Sequence, residues 1–139
     1  CVASVIDHKS IDCLKVVAGW CESQGLKLEF STLTNGTYYF GEGRISINWQ
    51  CLPEHQLFFL LHECGHSIVG PRKIEHDVKS LKHRCNIVEE EYSAWREGRN
   101  LAIQLQLNID LERFETFKAK QLRSYFAWVL KPSKFQKEE

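Results

Sequence analysis

Between residues 7 and 24, apolar side chains recur at Ile11, Leu14, Val17 and Cys21, and the pattern stops at Gly25. That spacing predicts an amphipathic helix closed by a glycine. Residues 26–30 then alternate apolar and polar, as a half-buried strand does. Asn35-Gly36 signals a tight turn, residues 37–40 a short strand and Gly41-Glu42-Gly43 a second turn, after which residues 44–49 alternate again. A small sheet of about three strands is expected behind the first helix.

From Pro53 the period becomes helical. Pro53 suits a first helical turn, Glu54 favours the positive helix end, and Gly70-Pro71 is a stop. A second such helix is expected from Asn86, where Asn86-Ile87-Val88-Glu89 has capping-box spacing, to about residue 107. A third, over residues 110–130, places Leu111, Phe114, Phe117, Leu122, Tyr125 and Val129 on one broad face, and residues 131–139 read as a frayed polar tail. The predicted architecture is a single α+β domain over residues 1–139. It has an N-terminal helix, a roughly three-stranded sheet, two helices that carry the candidate chemistry and a long C-terminal helix.

Composition narrows the function classes. The 139 residues suit one domain, and 43% hydrophobic content excludes wholesale disorder. Eighteen basic residues balance eighteen acidic ones, so a general polyanion binder, and with it a nucleic-acid partner, is not expected. Apolar runs such as residues 57–61 fall far short of the roughly 20 residues that span a bilayer. The six cysteines (Cys1, Cys13, Cys21, Cys51, Cys64, Cys85) are irregularly spaced, without a C-x-x-C pair. Several fall within apolar helical patterns, so reduced thiols in a cytoplasmic protein are expected. The chain starts at Cys1 and contains no methionine, which points to trimming or processing at its N-terminus.

The helix beginning at Pro53 carries His62-Glu63-Cys64-Gly65-His66. Histidines four apart lie on one helix face, so both imidazoles can meet one ion, and tetrahedral Zn²⁺ at about 2.0–2.1 Å from nitrogen suits them. Glu63 lies about 100° around the helix from His62, within reach of a water beside the ion. Burying these groups after residues 57–61 would be costly without a partner, which a metal supplies. The plainer alternative is a hydrogen-bonded histidine pair with a solvated Glu63.

A catalytic zinc site usually takes a third protein ligand. Glu89 shares its stripe with Ser93, Arg96 and Asn100, a solvent face, and Glu90 lies on a mixed flank. Glu91 lies with Val88, Trp95, Gly98, Ala102 and Leu105 on the face that must pack inward, which makes it the candidate, with Glu90 as the fallback. The competing account, an acidic helix start favoured by the dipole, explains Glu89 and Glu90 well and Glu91 poorly. Gly65, Gly98 and Ala102 are small enough to let the two helices approach closely.

His62-Glu63-x-x-His66, followed 25 residues later by Glu91-x-x-Ala94, resembles the gluzincin metallopeptidases. Together with Arg44-Ile45-Ser46-Ile47-Asn48 upstream, it is similar to the ImmA/IrrE-type family, over roughly residues 26–105. The resemblance implies a minimal zinc peptidase of bacteria, phages or mobile elements that cuts a regulatory protein. It implies zinc on His62, His66 and Glu91, and Glu63 as general base. Trp95 departs from the pattern, standing where such families carry Asn or Asp, so a polar contact to a ligand is lost or supplied elsewhere.

The expected activity is zinc-dependent hydrolysis of peptide bonds in a protein or peptide substrate. Glu63 would take a proton from water and pass it to the leaving amine. If residues 44–48 form a sheet edge, Ile45, Ser46 and Ile47 could hold an extended substrate. Tyr92, His76 and His83 are candidates to stabilise the transition state, the histidines lying in an expected loop over residues 71–85; solvated loop histidines are the simpler reading of both. A deformylase-like hydrolase would need Cys51 as ligand, only 11 residues before His62, and a metzincin would need histidine where Arg72 stands. The alternative from another class is a catalytically silent, zinc-containing protein-binding module. The mild basic excess of Arg72, Lys73, Lys79, Lys82 and Arg84 over Glu75 and Asp77 is expected to be a solvated surface.

Overall fold

Asp7 opens the first helix by accepting the Ser10 backbone N–H at 3.0 Å. The computed structural model describes residues 6–71, 77 and 80–131. In chain order the elements are α1 (His8–Ser23), β1 (Lys27–Ser31), β2 (Gly36–Tyr39), β3 (Arg44–Asn48), α2 (Pro53–Val69), α3 (Leu81–Gln104) and α4 (Leu111–Leu130). Among the described residues, four helices with a small mixed sheet make the α+β architecture that the periodicities predict. Gly25, at φ +75°, ends α1 in the left-handed conformation that glycine adopts without strain.

The strands lie in the order β1-β3-β2, with β1 parallel and β2 antiparallel to β3. Leu28, Ile45 and Tyr38 align across the sheet, as do Phe30, Ile47 and Gly36, and Ile45 and Ile47 enter the core. The opposite face is polar. There Arg44 donates to Glu29 at 3.0 Å and stacks 3.6 Å over the Tyr39 ring. This order corrects the expectation for β3. Ile45, Ser46 and Ile47 are buried in the middle strand, their main chain paired on both sides, so they offer no edge to a substrate. The edges are β1 and β2.

α2 is the centre of the molecule. All ten residues from Leu57 to His66 are buried, because α1, β2, β3 and α3 pack around the helix. A helix apolar on every side is a core helix, which accounts for the run at residues 57–61. α4 closes the far side: Phe58 meets Phe114 and Phe117 edge-on, each at 5.3 Å.

α2 and α3 cross at glycines. A Cβ on Gly98 would lie 2.5 Å from the Leu61 carbonyl oxygen, and one on Gly65 would overlap the Ala94 carbonyl. Close approach at these small residues is what the sequence pattern implies.

α3 begins a turn and a half before the expected Asn86. Ser80 is its N-cap, accepting from the His83 N–H at 3.1 Å. The extra turn is held by Arg84, which is buried and donates to the carbonyls of Trp128 at 3.1 Å and Lys131 at 2.7 Å. A guanidinium thus caps the end of α4, sharing the Trp128 carbonyl with the Lys131 N–H. Arg84 therefore belongs to the helix packing and not to a basic surface. The connection after α2 ends at Ser80, so the expected loop over residues 71–85 is shorter. Arg72, Lys73, His76 and Lys79, and the tail from residue 132, lie outside the described residues. Cys13, Cys21, Cys51, Cys64 and Cys85 are free thiols, the first two and Cys64 buried. Among the described residues no helix is long and apolar enough to cross a membrane.

Candidate metal centre

α2 holds His62 and His66 on one side, with ring centroids 4.6 Å apart. Ligand atoms from His62, Glu63 and His66 lie within 4.8 Å of one another, and the group could hold a metal ion. From α3, Glu91 reaches between the two rings. Its Oε1 lies 3.1 Å from His62 Nε2 and its Oε2 2.9 Å from His66 Nε2. Glu63 approaches from the other edge, with Oε2 3.2 Å from His62 Nδ1. All four side chains are buried.

Two carboxylates therefore compete for the third position. Glu63 completes the three-residue group whose ligand atoms lie within 4.8 Å of one another, but it faces Nδ1 of a single ring. Glu91 faces Nε2 of both, at 3.1 and 2.9 Å. Glu90 is half-buried and is not among the residues lining the cleft.

The electrostatics fit a cation-binding pocket. Burial opposes charge on His62, yet Glu63 and Glu91 together outweigh it and raise its pKa to about 9. Burial likewise opposes ionisation of Glu91, and the two histidines outweigh it, lowering its pKa to about 2. His62 Nε2 nevertheless makes no hydrogen bond of adequate geometry and is fully buried. A buried imidazole nitrogen without a bonded partner, facing a carboxylate, suits a metal ligand.

The rings are also held by aromatic contacts. Trp95 stacks on His62 at 4.2 Å and 9° between planes, and Phe40 meets His66 edge-on at 6.0 Å. The close α2–α3 crossing brings Glu91 within reach, because Gly65 lies between the two histidine-bearing turns and against α3.

No protein-family model, curated protein or solved structure matches the chain. The side chains themselves therefore carry the functional reading.

His62, Glu63, Glu91 and Trp95 open into a cleft of about 260 Å³. Its other walls are Asn35 and Gly36 at the start of β2, Phe59 of α2, and Gln121, Ser124 and Tyr125 of α4. Gly36 packs tightly there: a Cβ would lie 3.1 Å from Glu63 Oε2 and 3.3 Å from Phe59. The β2 backbone thus runs directly over the Glu63 carboxylate.

The expected transition-state groups lie elsewhere. Tyr92 is 47% exposed on the outer face of α3, with the Lys118 ammonium 4.6 Å over its ring. It follows Glu91 by one residue, and 100° of helix rotation carries it out of the cleft. His83 sits in the first turn of α3, lining a neighbouring groove with Ile87, Ser124, Tyr125 and Trp128. His76 lies outside the described residues. Tyr125 is the tyrosine that lines the cleft. Its signal in the sequence is a phenol on the otherwise apolar inward stripe of α4.

Proposed function

We propose that the chain is a zinc metallopeptidase that hydrolyses peptide bonds in a protein or peptide substrate, of the gluzincin type and akin to the ImmA/IrrE-type family. The observation that carries this reading is the convergence of His62 Nε2 and His66 Nε2 on the Glu91 carboxylate, with Glu63 adjacent in the same cleft. Two imidazoles and one carboxylate are a donor set that catalytic zinc commonly takes, with one position left open. A zinc ion held there would acidify a water and polarise the scissile carbonyl.

The chain's own residues supply the rest. Glu63, lining the cleft, accepts the proton of the attacking water and returns it to the leaving amine. The edge strand β2 lies above Glu63, and its outer side can pair with an extended peptide through main-chain hydrogen bonds. Tyr125, which lines the cleft, is our candidate for the donor to the developing oxyanion. A buried Glu beside the histidine pair favours this reading over a silent zinc module, because a purely structural site needs no base.

The test combines metal analysis with hydrolysis. Protein purified without chelator should contain about one zinc per chain and should cleave members of a mixed peptide library. Zinc bound without any cleavage would favour the silent module. No bound metal would end both readings.

A further inference from the structure

We infer that Trp95 is a positioning residue for His62, an aromatic slab that fixes the plane of the imidazole and so aims Nε2 into the metal site. The inference rests on the metal reading above. Trp95 and Glu91 are one turn apart on α3, so one places its ring over the face of His62 and the other its carboxylate at the edge. Near-parallel rings at 4.2 Å leave the imidazole little room to rotate about its broad, soft second torsion. His66 meets the edge of Phe40 at 6.0 Å and the tilted His62 ring at 4.6 Å, and neither lies flat on it as Trp95 does on His62, so the two histidines are held to different degrees.

The slab is itself immobilised. Trp95 is 1% exposed and is the largest fully buried side chain, with Phe114 and Phe117 of α4 packed edge-on at 5.6 and 6.0 Å. Ligating histidines are usually oriented by a hydrogen-bonded acceptor, and loss of such support typically costs about 10–100-fold in metal affinity. At His62 the acceptor at Nδ1 is Glu63, a group that the proposed reaction needs to take up and release a proton. Stacking by Trp95 orients the ring independently of the protonation of Glu63. α4, although it supplies no ligand, thereby supports the site through Phe114, Phe117 and Trp95.

Zinc affinity, measured by competition with a chromogenic chelator, tests this without any substrate. Trp95→Leu should weaken zinc binding about tenfold or more, and Trp95→Phe, which keeps a ring, should recover to within about threefold of the parent. Trp95→Met, also ringless but more adaptable in packing, is read in place of the leucine variant if that one does not fold by circular dichroism. Leu101→Ala, a core truncation on the same helix, should lower the melting temperature and leave zinc affinity unchanged. Parent-like affinity in the ringless variant, or an equal loss in Leu101→Ala, overturns the inference and leaves the metal site standing. A parent protein that binds no zinc overturns the metal reading itself.

Discussion

Gly65 of α2 lies against Ala94 of α3 so closely that a methyl group at position 65 would overlap the Ala94 carbonyl. Ala94 lies three positions after Glu91, so the backbone-to-backbone contact and the carboxylate between the histidines share one turn of α3. Packing and chemistry meet at this crossing.

Adding one methyl group at the crossing should therefore be costly. Gly98→Ala would gain some helix propensity but must displace the Leu61 carbonyl, and a net loss of about 1–3 kcal/mol is expected. Gly65→Ala should lose more and weaken metal binding as well. Urea denaturation of both variants, with zinc titration of whichever folds, checks the pair.

Removing a metal-facing group should uncouple stability from metal. In the parent, zinc at 100 times its dissociation constant should add about 2.7 kcal/mol, and a chelator should reverse the gain. His66→Ala and Glu91→Ala should lose more than about 100-fold in affinity, beyond the 10–100-fold of an outer contact. Their melting temperatures should then ignore both zinc and chelator in differential scanning calorimetry.

Glu63→Gln separates binding from turnover. The amide retains the shape beside Gly36 but cannot accept a proton, so zinc content should persist while kcat falls about 10²–10⁴-fold. Full turnover by this variant would remove Glu63 from the mechanism.

Tyr125→Phe should lower kcat about 10²–10³-fold with KM little changed, as loss of a transition-state donor does. Steady-state kinetics on a peptide found in the library screen decide it. Tyr92→Phe, on the outer face of α3, should have wild-type kinetics.

Arg84→Met keeps the aliphatic stem and deletes the donors to the Trp128 and Lys131 carbonyls. A loss of about 1–3 kcal/mol is expected. Hydrogen exchange should quicken first at the C-terminal turn of α4.

Local pattern made the elements legible, and contacts across the fold hid the rest. Asp7 and Asp110 mark helix starts that the apolar stripes already predict. Glu91 could be singled out from Glu89 and Glu90 because it shares a stripe with Trp95 and Gly98, which pack inward. Asn86 was misleading, since its capping spacing lies inside a helix whose first turn is held by Arg84 reaching a helix end over forty residues away. The strand order escapes local reading too: a strand alternates identically whether it is central or at an edge, and only pairing on both sides buries the main chain of Ile45 and Ile47. The α4 wall of the cleft depends on the tertiary fold, so Gln121 and Ser124 carry no sequence signal of their own.

The burial of α2 on every side bears on how much variation its motif tolerates. Consecutive residues look in different directions: Glu63 toward β2, Cys64 toward Cys21 of α1 at 3.5 Å between sulfurs, and Gly65 toward α3. The two middle letters of His62-Glu63-x-x-His66 are thus far from arbitrary in this chain. Position 65 admits no side chain at all, and position 64 takes one small enough to share space with a neighbouring thiol. A chain can carry the three chemical letters and still fail at the two silent ones, for reasons of volume alone.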